Sequence, residues 1–245
     1  MKRLKVIACE IAFRELCLCA SQVNTVVDFT FMNKGLHDIG PEKMQDRLQK
    51  EIDQVDTEKY EAILLVYGLC SRGIVGLQSK LPLIIPKAHD CTTFFLGSKE
   101  KYTTFFREYS GAYIYTAGWL EREIEPEKMT DSIMSHMGLN KRYEEYVEAY
   151  GEENADYIME ILGGYEKVYD KVVFINTHVG DVETYRSKLQ EKAISKKWTP
   201  IEIEGDTSLL FQLLNRDWNE NDFLIVPPNH HVIATNENDI IGFKK

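Results

Sequence analysis

The stretch Ala62-Ile63-Leu64-Leu65-Val66-Tyr67, followed by Gly68-Leu69-Cys70, decides the fold. Its first six residues carry no polar interruption except the tyrosine hydroxyl at the end. A strand with one wet face alternates apolar and polar residues, whereas a strand covered on both faces reads as an unbroken apolar run. Residues 62–67 therefore predict a strand with helices over both faces, the usual setting of a parallel sheet. Leu81-Pro82-Leu83-Ile84-Ile85-Pro86 is a second run of the same kind.

Working outward, residues 4–8 and 25–32 read as strands, the second rich in β-branched and aromatic side chains. Between them, residues 10–20 read as a helix with Ile11, Phe13, Leu16 and Leu18 as candidates for its buried side. Residues 41–55 are helical in pattern. Met44, Leu48, Ile52 and Val55 recur at helical spacing, and Pro41 suits a first helical position. Downstream, strands are predicted at 112–116, 171–176, 200–204 and 222–226, with a short edge strand at 231–235. Helices are predicted at 181–194, capped by Asp181, and from Asp206 through Leu214. Residues 126–164 are charged and helical in pattern, with breaks near Gly138 and Gly151.

Strands alternating with helices imply right-handed crossovers. The expected fold class is α/β, a three-layer Rossmann-like arrangement with a mostly parallel sheet, in one or two lobes, with a helical insertion around 126–164. A division near residue 120 separates an N-terminal α/β half, 1–120, from a second half, 121–245, that holds the helical excursion and the C-terminal α/β units. One continuous domain is the alternative.

Composition bounds the function. The 245 residues are long enough to bury a sizeable core without staples. Basic residues number 29 against 39 acidic, a formal net charge of −10, which argues against general nucleic-acid binding. No apolar run approaches the ~20 residues that span a bilayer. The basic start, Met1-Lys2-Arg3, is soon followed by Glu10 and Arg14, so no secretory leader is expected and a cytoplasmic location is.

Five cysteines, Cys9, Cys17, Cys19, Cys70 and Cys91, all fall in the first half. An odd number in a reducing compartment argues against a disulfide framework. Cys9, Cys70 and Cys91 each lie just after a predicted strand. In an open parallel sheet such junctions share the carboxyl edge, where ligands bind. Helix starts at that edge favour a thiolate over a thiol. The three thiols are therefore expected to converge, provided their strands are close in the sheet. The plain alternative is packing, since free cysteine often behaves as a small hydrophobe. Cys17 and Cys19, two apart within the predicted first helix, read as packing residues lying off this site. There is no Cys-x-x-Cys pair.

His89 and Asp90 adjoin Cys91, and Glu10 adjoins Cys9. His89 is a candidate fourth metal ligand. Asp90 and Glu10 are candidates to support a metal or move a proton, or else simply to cap helices. Arg72 is a candidate to hold an anionic substrate. His178 and His230 also follow strands and are weaker candidates, with surface loops as the alternative. The glycines at 68, 73 and 76 match neither a dinucleotide fingerprint nor a P-loop.

The stretches ACEIAFREL, VYGLCSRGIVGL, IPKAHDCTTFFLGSKEKY, GWLE and GDTSLLFQLLNRDWNENDFLIVPPNH together resemble the DUF1638 family across nearly the whole chain. The residues that carry this resemblance are Cys9, Glu10, Cys70, His89, Asp90, Cys91, Gly118 and Trp119. The resemblance implies an archaeal or anaerobic bacterial setting, often beside corrinoid-dependent methyltransferases, with a corrinoid protein or methyltransferase as partner. In architecture alone, three cysteines at strand ends are also similar to quinolinate synthase and the diphthamide-forming radical enzymes. Those hold a [4Fe–4S] cluster by three thiolates and leave one iron open.

Three readings follow. The first is a [4Fe–4S] cluster on Cys9, Cys70 and Cys91, acting in anaerobic one-carbon metabolism. The second is zinc held by those three cysteines, with or without His89, activating a thiol or assisting methyl transfer. The third is a metal-free module whose cleft binds a small molecule or a corrinoid protein.

Overall fold

The computed structural model describes residues 3–122, 143–162, 169–235 and 239–245. The chain is mixed α/β, built on a mostly parallel central sheet. In chain order the first four strands are β1 (Arg3–Cys9), β2 (Val27–Met32), β3 (Tyr60–Val66) and β4 (Leu83–Pro86). They are followed by β5 (Ala112–Tyr115), β6 (Lys171–Asn176), β7 (Thr199–Glu204) and β8 (Phe223–Val226). The central sheet has the order β2-β1-β3-β4-β8. Its pairs are parallel except β4–β8, which is antiparallel. β5, β6 and β7 form a second, parallel sheet. The predicted edge strand at 231–235 is one arm of an antiparallel hairpin, β9 (His231–Ala234) with β10 (Ile241–Lys244).

The unbroken apolar run lands where its composition requires. Ile63, Leu64, Leu65 and Val66 have no exposed surface. Their side chains alternate between two cores, as strand geometry dictates. Leu64 and Val66 join Leu4, Val6 and Ala8 beneath α1 (Phe13–Ala20) and the segment that leads to it. Ile63 and Leu65 join Ile7 on the opposite face, against Met44, Leu48 and Ile52 of α2 (Pro41–Asp53). Burying one such aliphatic side chain contributes roughly 1.5–3 kcal/mol.

The next helices are α3 (Thr92–Leu96), α4 (Lys99–Glu108), α5 (Ala117–Glu121), α6 (Tyr143–Tyr150) and α7 (Glu152–Leu162). The last two are α8 (Val182–Lys196) and α9 (Ser208–Asn215). Asp181 caps α8 as expected, accepting from the Thr184 backbone at 3.2 Å. The α4 helix goes beyond the sequence expectation, although Ser98 accepts from the Lys101 N–H and Tyr102, Phe105, Phe106 and Tyr109 follow a helical period. Within the predicted helical insertion, 143–150 and 152–162 are helical with the expected break at Gly151, and the rest of that stretch, with His136 and Gly138, lies outside the described residues.

The buried side of α1 differs from expectation. Phe13 and Leu18 are each 40% exposed, while Glu15, Leu16 and Cys19 are buried. A tight 3₁₀ turn, Glu10–Ala12, precedes the α-helix and resets its phase. Among the described residues, no helix is long and apolar enough to cross a membrane.

Candidate functional site

The central sheet places β1, β3 and β4 side by side and parallel, so their carboxyl ends share one edge. Cys9 is the last residue of β1. Cys70 and Cys91 follow β3 and β4 in loops that continue to pair after the strands end. Leu69 N–H donates to Ala88 O at 2.8 Å, and Cys70 N–H to His89 O at 3.0 Å. Gly68 permits this approach, because a Cβ there would lie 2.8 Å from Asp90 Cα and 2.9 Å from Asp90 N. The Cys70 turn is unusual for non-glycine residues, with φ of +41° at Cys70 and +73° at Arg72. Left-handed backbone at such residues is held only where surrounding contacts enforce it, often at functional sites.

All three cysteines line one cavity of about 390 Å³. The second sheet closes it, through Ile114 of β5, Thr116 just beyond β5, and Trp119 of α5. Gly118 lets α5 sit against the start of the first helical segment, since a Cβ there would lie 1.8 Å from Ile11 O. Cys17 is exposed and Cys19 is buried in the core, and neither lines the cavity.

Burial decides the protonation of the thiols. It pushes Cys9 up to about 11 and Cys70 up to about 12. Cys91 is raised well above its ordinary value, first by burial and then by the neighbouring Cys70, Asp90 and Cys9, against a smaller opposing hydrogen bond from Trp119. The expected preference for thiolate is therefore reversed. The positive charges near Cys9, from Arg122 and Lys34, are outweighed by loss of water.

The flanking charged groups are occupied by structural bonds. Asp90 Oδ1 accepts from the Thr92 N–H at 2.8 Å, and Oδ2 from the Tyr102 hydroxyl at 2.8 Å. Glu10 Oε1 accepts from the Lys34 N–H at 2.9 Å, and Oε2 pairs with Arg122 at 3.3 Å. Glu10 thereby ties the end of β1 to the Lys34–Ile39 turn and to the residue after α5. His89 is exposed at the cavity rim, stacked on Tyr102 with centroids 5.5 Å apart. Arg72 is exposed and is not among the lining residues. His178 bonds Glu204 at 2.7 Å, and His230 lies by Pro228 O at 3.0 Å, both away from the cavity lining. Among the described residues, no three His, Cys, Asp or Glu side chains are gathered closely enough to hold a metal ion as they stand.

Four polar cavity residues are not among the sequence candidates: Lys34, Tyr67, Thr92 and Thr116. The rule that singled out the cysteines would have found two of them, because Tyr67 and Thr116 directly follow β3 and β5. Lys34 carries no such signal. Its ammonium sits 4.9 Å from the Trp119 ring centroid, a contact made only across the folded chain.

Residues 31–214 match a family described as "Protein of unknown function (DUF1638)". No curated protein and no solved structure matches the chain.

Proposed function

The chain belongs to the DUF1638 family, and from its own cavity we propose that Cys9, Cys70 and Cys91 hold a [4Fe–4S] cluster with one iron open to a small ligand. The observation that carries this reading is the meeting of three thiols, from the ends of three adjacent parallel strands, in one cavity. Thiolates are the usual ligands of iron–sulfur clusters, and a set of three leaves one iron uncommitted. The donor set fits in its chemistry, three thiols lining one cavity.

When bound, the open iron would supply Lewis acidity to a ligand's oxygen. The chain's own residues do the rest. Asp90 holds the Cys91 loop, Glu10 holds the Lys34 turn, and Ile11, Phe94 and Ile114 supply apolar wall. Because the thiols are neutral without metal, loading must displace their protons. A cytoplasmic role in anaerobic one-carbon metabolism, with a corrinoid protein or methyltransferase as partner, belongs to the same proposal. The acidic net charge of −10 supports a small molecule or protein as partner rather than nucleic acid.

The test is metal analysis of protein purified without oxygen. Brown protein containing iron and acid-labile sulfide supports the reading, and Cys9→Ser, Cys70→Ser and Cys91→Ser should each lower the iron while Cys17→Ser should not. Colourless protein carrying one zinc on the same three cysteines would replace the cluster with zinc. Protein without metal after reconstitution would leave a binding module instead.

A further inference from the structure

Two residues of the cavity wall carry buried hydroxyls with no hydrogen-bond partner. Tyr67 is 4% exposed and Thr116 is 1% exposed, and both line the cavity. Neither the Tyr67 Oη nor the Thr116 Oγ1 meets a donor or acceptor. Buried polar groups are nearly always paired, because an unpaired one forfeits its bonds to water. Two such groups from different sheets, on one cavity, point to a partner that enters from outside.

The chemistry of that partner follows from the wall. A tyrosine hydroxyl carries its proton at neutral pH, so Tyr67, buried on the wall, can donate a hydrogen bond. Threonine donates equally well. The buried Lys34 lines the same cavity, and its positive charge reaches Cys9. Much of the remaining wall is apolar, including Ile11, Phe94 and Ile114. A phosphate dianion would bring two charges toward one lysine, with the Asp90 carboxylate also on the wall. A carboxylate brings one.

We propose that the cavity binds a small monocarboxylic acid, its carboxylate accepting from the Tyr67 and Thr116 hydroxyls and its short apolar body lying against Ile11 and Ile114. This assignment rests on the cavity being the functional site, as proposed above, but not on a metal being present.

The probes are propionate and butyrate, their amides, and inorganic phosphate, tested by ligand-observed NMR and by thermal shift on the full chain. The acids should bind at least tenfold more tightly than the amides, and phosphate should not displace them. Tyr67→Phe should weaken acid binding about tenfold, and Thr116→Val should do the same. Because Tyr67 Oη makes no bond in the free protein, Tyr67→Phe should leave the ligand-free melting temperature unchanged or raise it, and should leave iron content unchanged. Equal binding of acids and amides, full binding by both variants, or no binding of either acid would overturn the assignment. Acid binding that depends on Tyr67 in protein that takes up no iron would keep this assignment and sink the cluster. Iron-loaded protein that ignores both acids would do the reverse.

Discussion

The backbone N–H of Cys70 donates to the carbonyl of His89 at 3.0 Å, so two loops separated by a helical turn and a strand are joined at the point where both deliver a thiol. Gly68 stands immediately before this junction, and a Cβ there would press on the backbone of Asp90 at 2.8–2.9 Å. Backbone cannot swing aside as a flexible side chain can. Gly68→Ala should therefore lower stability by about 1–3 kcal/mol, as overpacking does, and should part Cys70 from Cys91. Urea unfolding reads the first effect and metal content the second. A variant with wild-type stability and full loading would show that the junction tolerates a side chain.

Thiol chemistry should follow burial. In reduced, metal-free protein at pH 8, a thiol near 11, such as Cys9, is only about one part in a thousand thiolate. Cys70, near 12, is lower still. Iodoacetamide should therefore label the exposed Cys17 first and the cavity cysteines slowly. Peptide mapping over time distinguishes the sites, and fast labelling of Cys70 or Cys91 would contradict the buried, neutral state described above.

Acid stability should depend on Asp28. Its carboxyl is held down to about 2, first by the Tyr60 hydroxyl and then by Lys59 and Arg3. Tyr60 Oη donates to Asp28 Oδ2 at 2.8 Å. The folded value lies below the unfolded one, so this contribution is present above about 3.9 and is lost as pH falls toward 2. Asp28→Asn should flatten the decline of the urea midpoint between roughly pH 5 and 2. An unchanged slope would remove Asp28 from the account. The site is partly exposed, so the effect should be modest.

Glu15 should behave in the opposite sense. It is fully buried on α1, with Oε1 accepting from the Thr177 hydroxyl at 2.7 Å and Oε2 unpartnered. Burial raises its pKa. A raised folded value means that its contribution is fully present below the unfolded pKa and is lost as pH rises through the folded one. Glu15→Gln keeps an acceptor for Thr177 and removes the charge. It should stabilise the protein at pH 8 relative to wild type, with the advantage shrinking on acidification. Chemical denaturation at several pH values tests this, and a pH-independent difference would refute it.

The fold was legible where one residue pattern permits one environment. The apolar run at 62–67 had to be a strand covered on both faces, and Met44, Leu48 and Ile52 had to lie along one side of a helix, because period alone decides which side chains share a face. The same topology rule identified the positions of Cys9, Cys70 and Cys91, since every parallel strand ends on the same edge. The sequence could not say that β1, β3 and β4 are neighbours, that β5, β6 and β7 form a separate sheet, or that β8 returns to the first. Strand order depends on long-range pairing energies, which leave no mark on local spacing. Nor could it foresee that burial would keep the thiols protonated, or that Lys34, Tyr67 and Thr116 would meet them. Desolvation belongs to a residue's surroundings, and those exist only once residues distant in the chain have packed together.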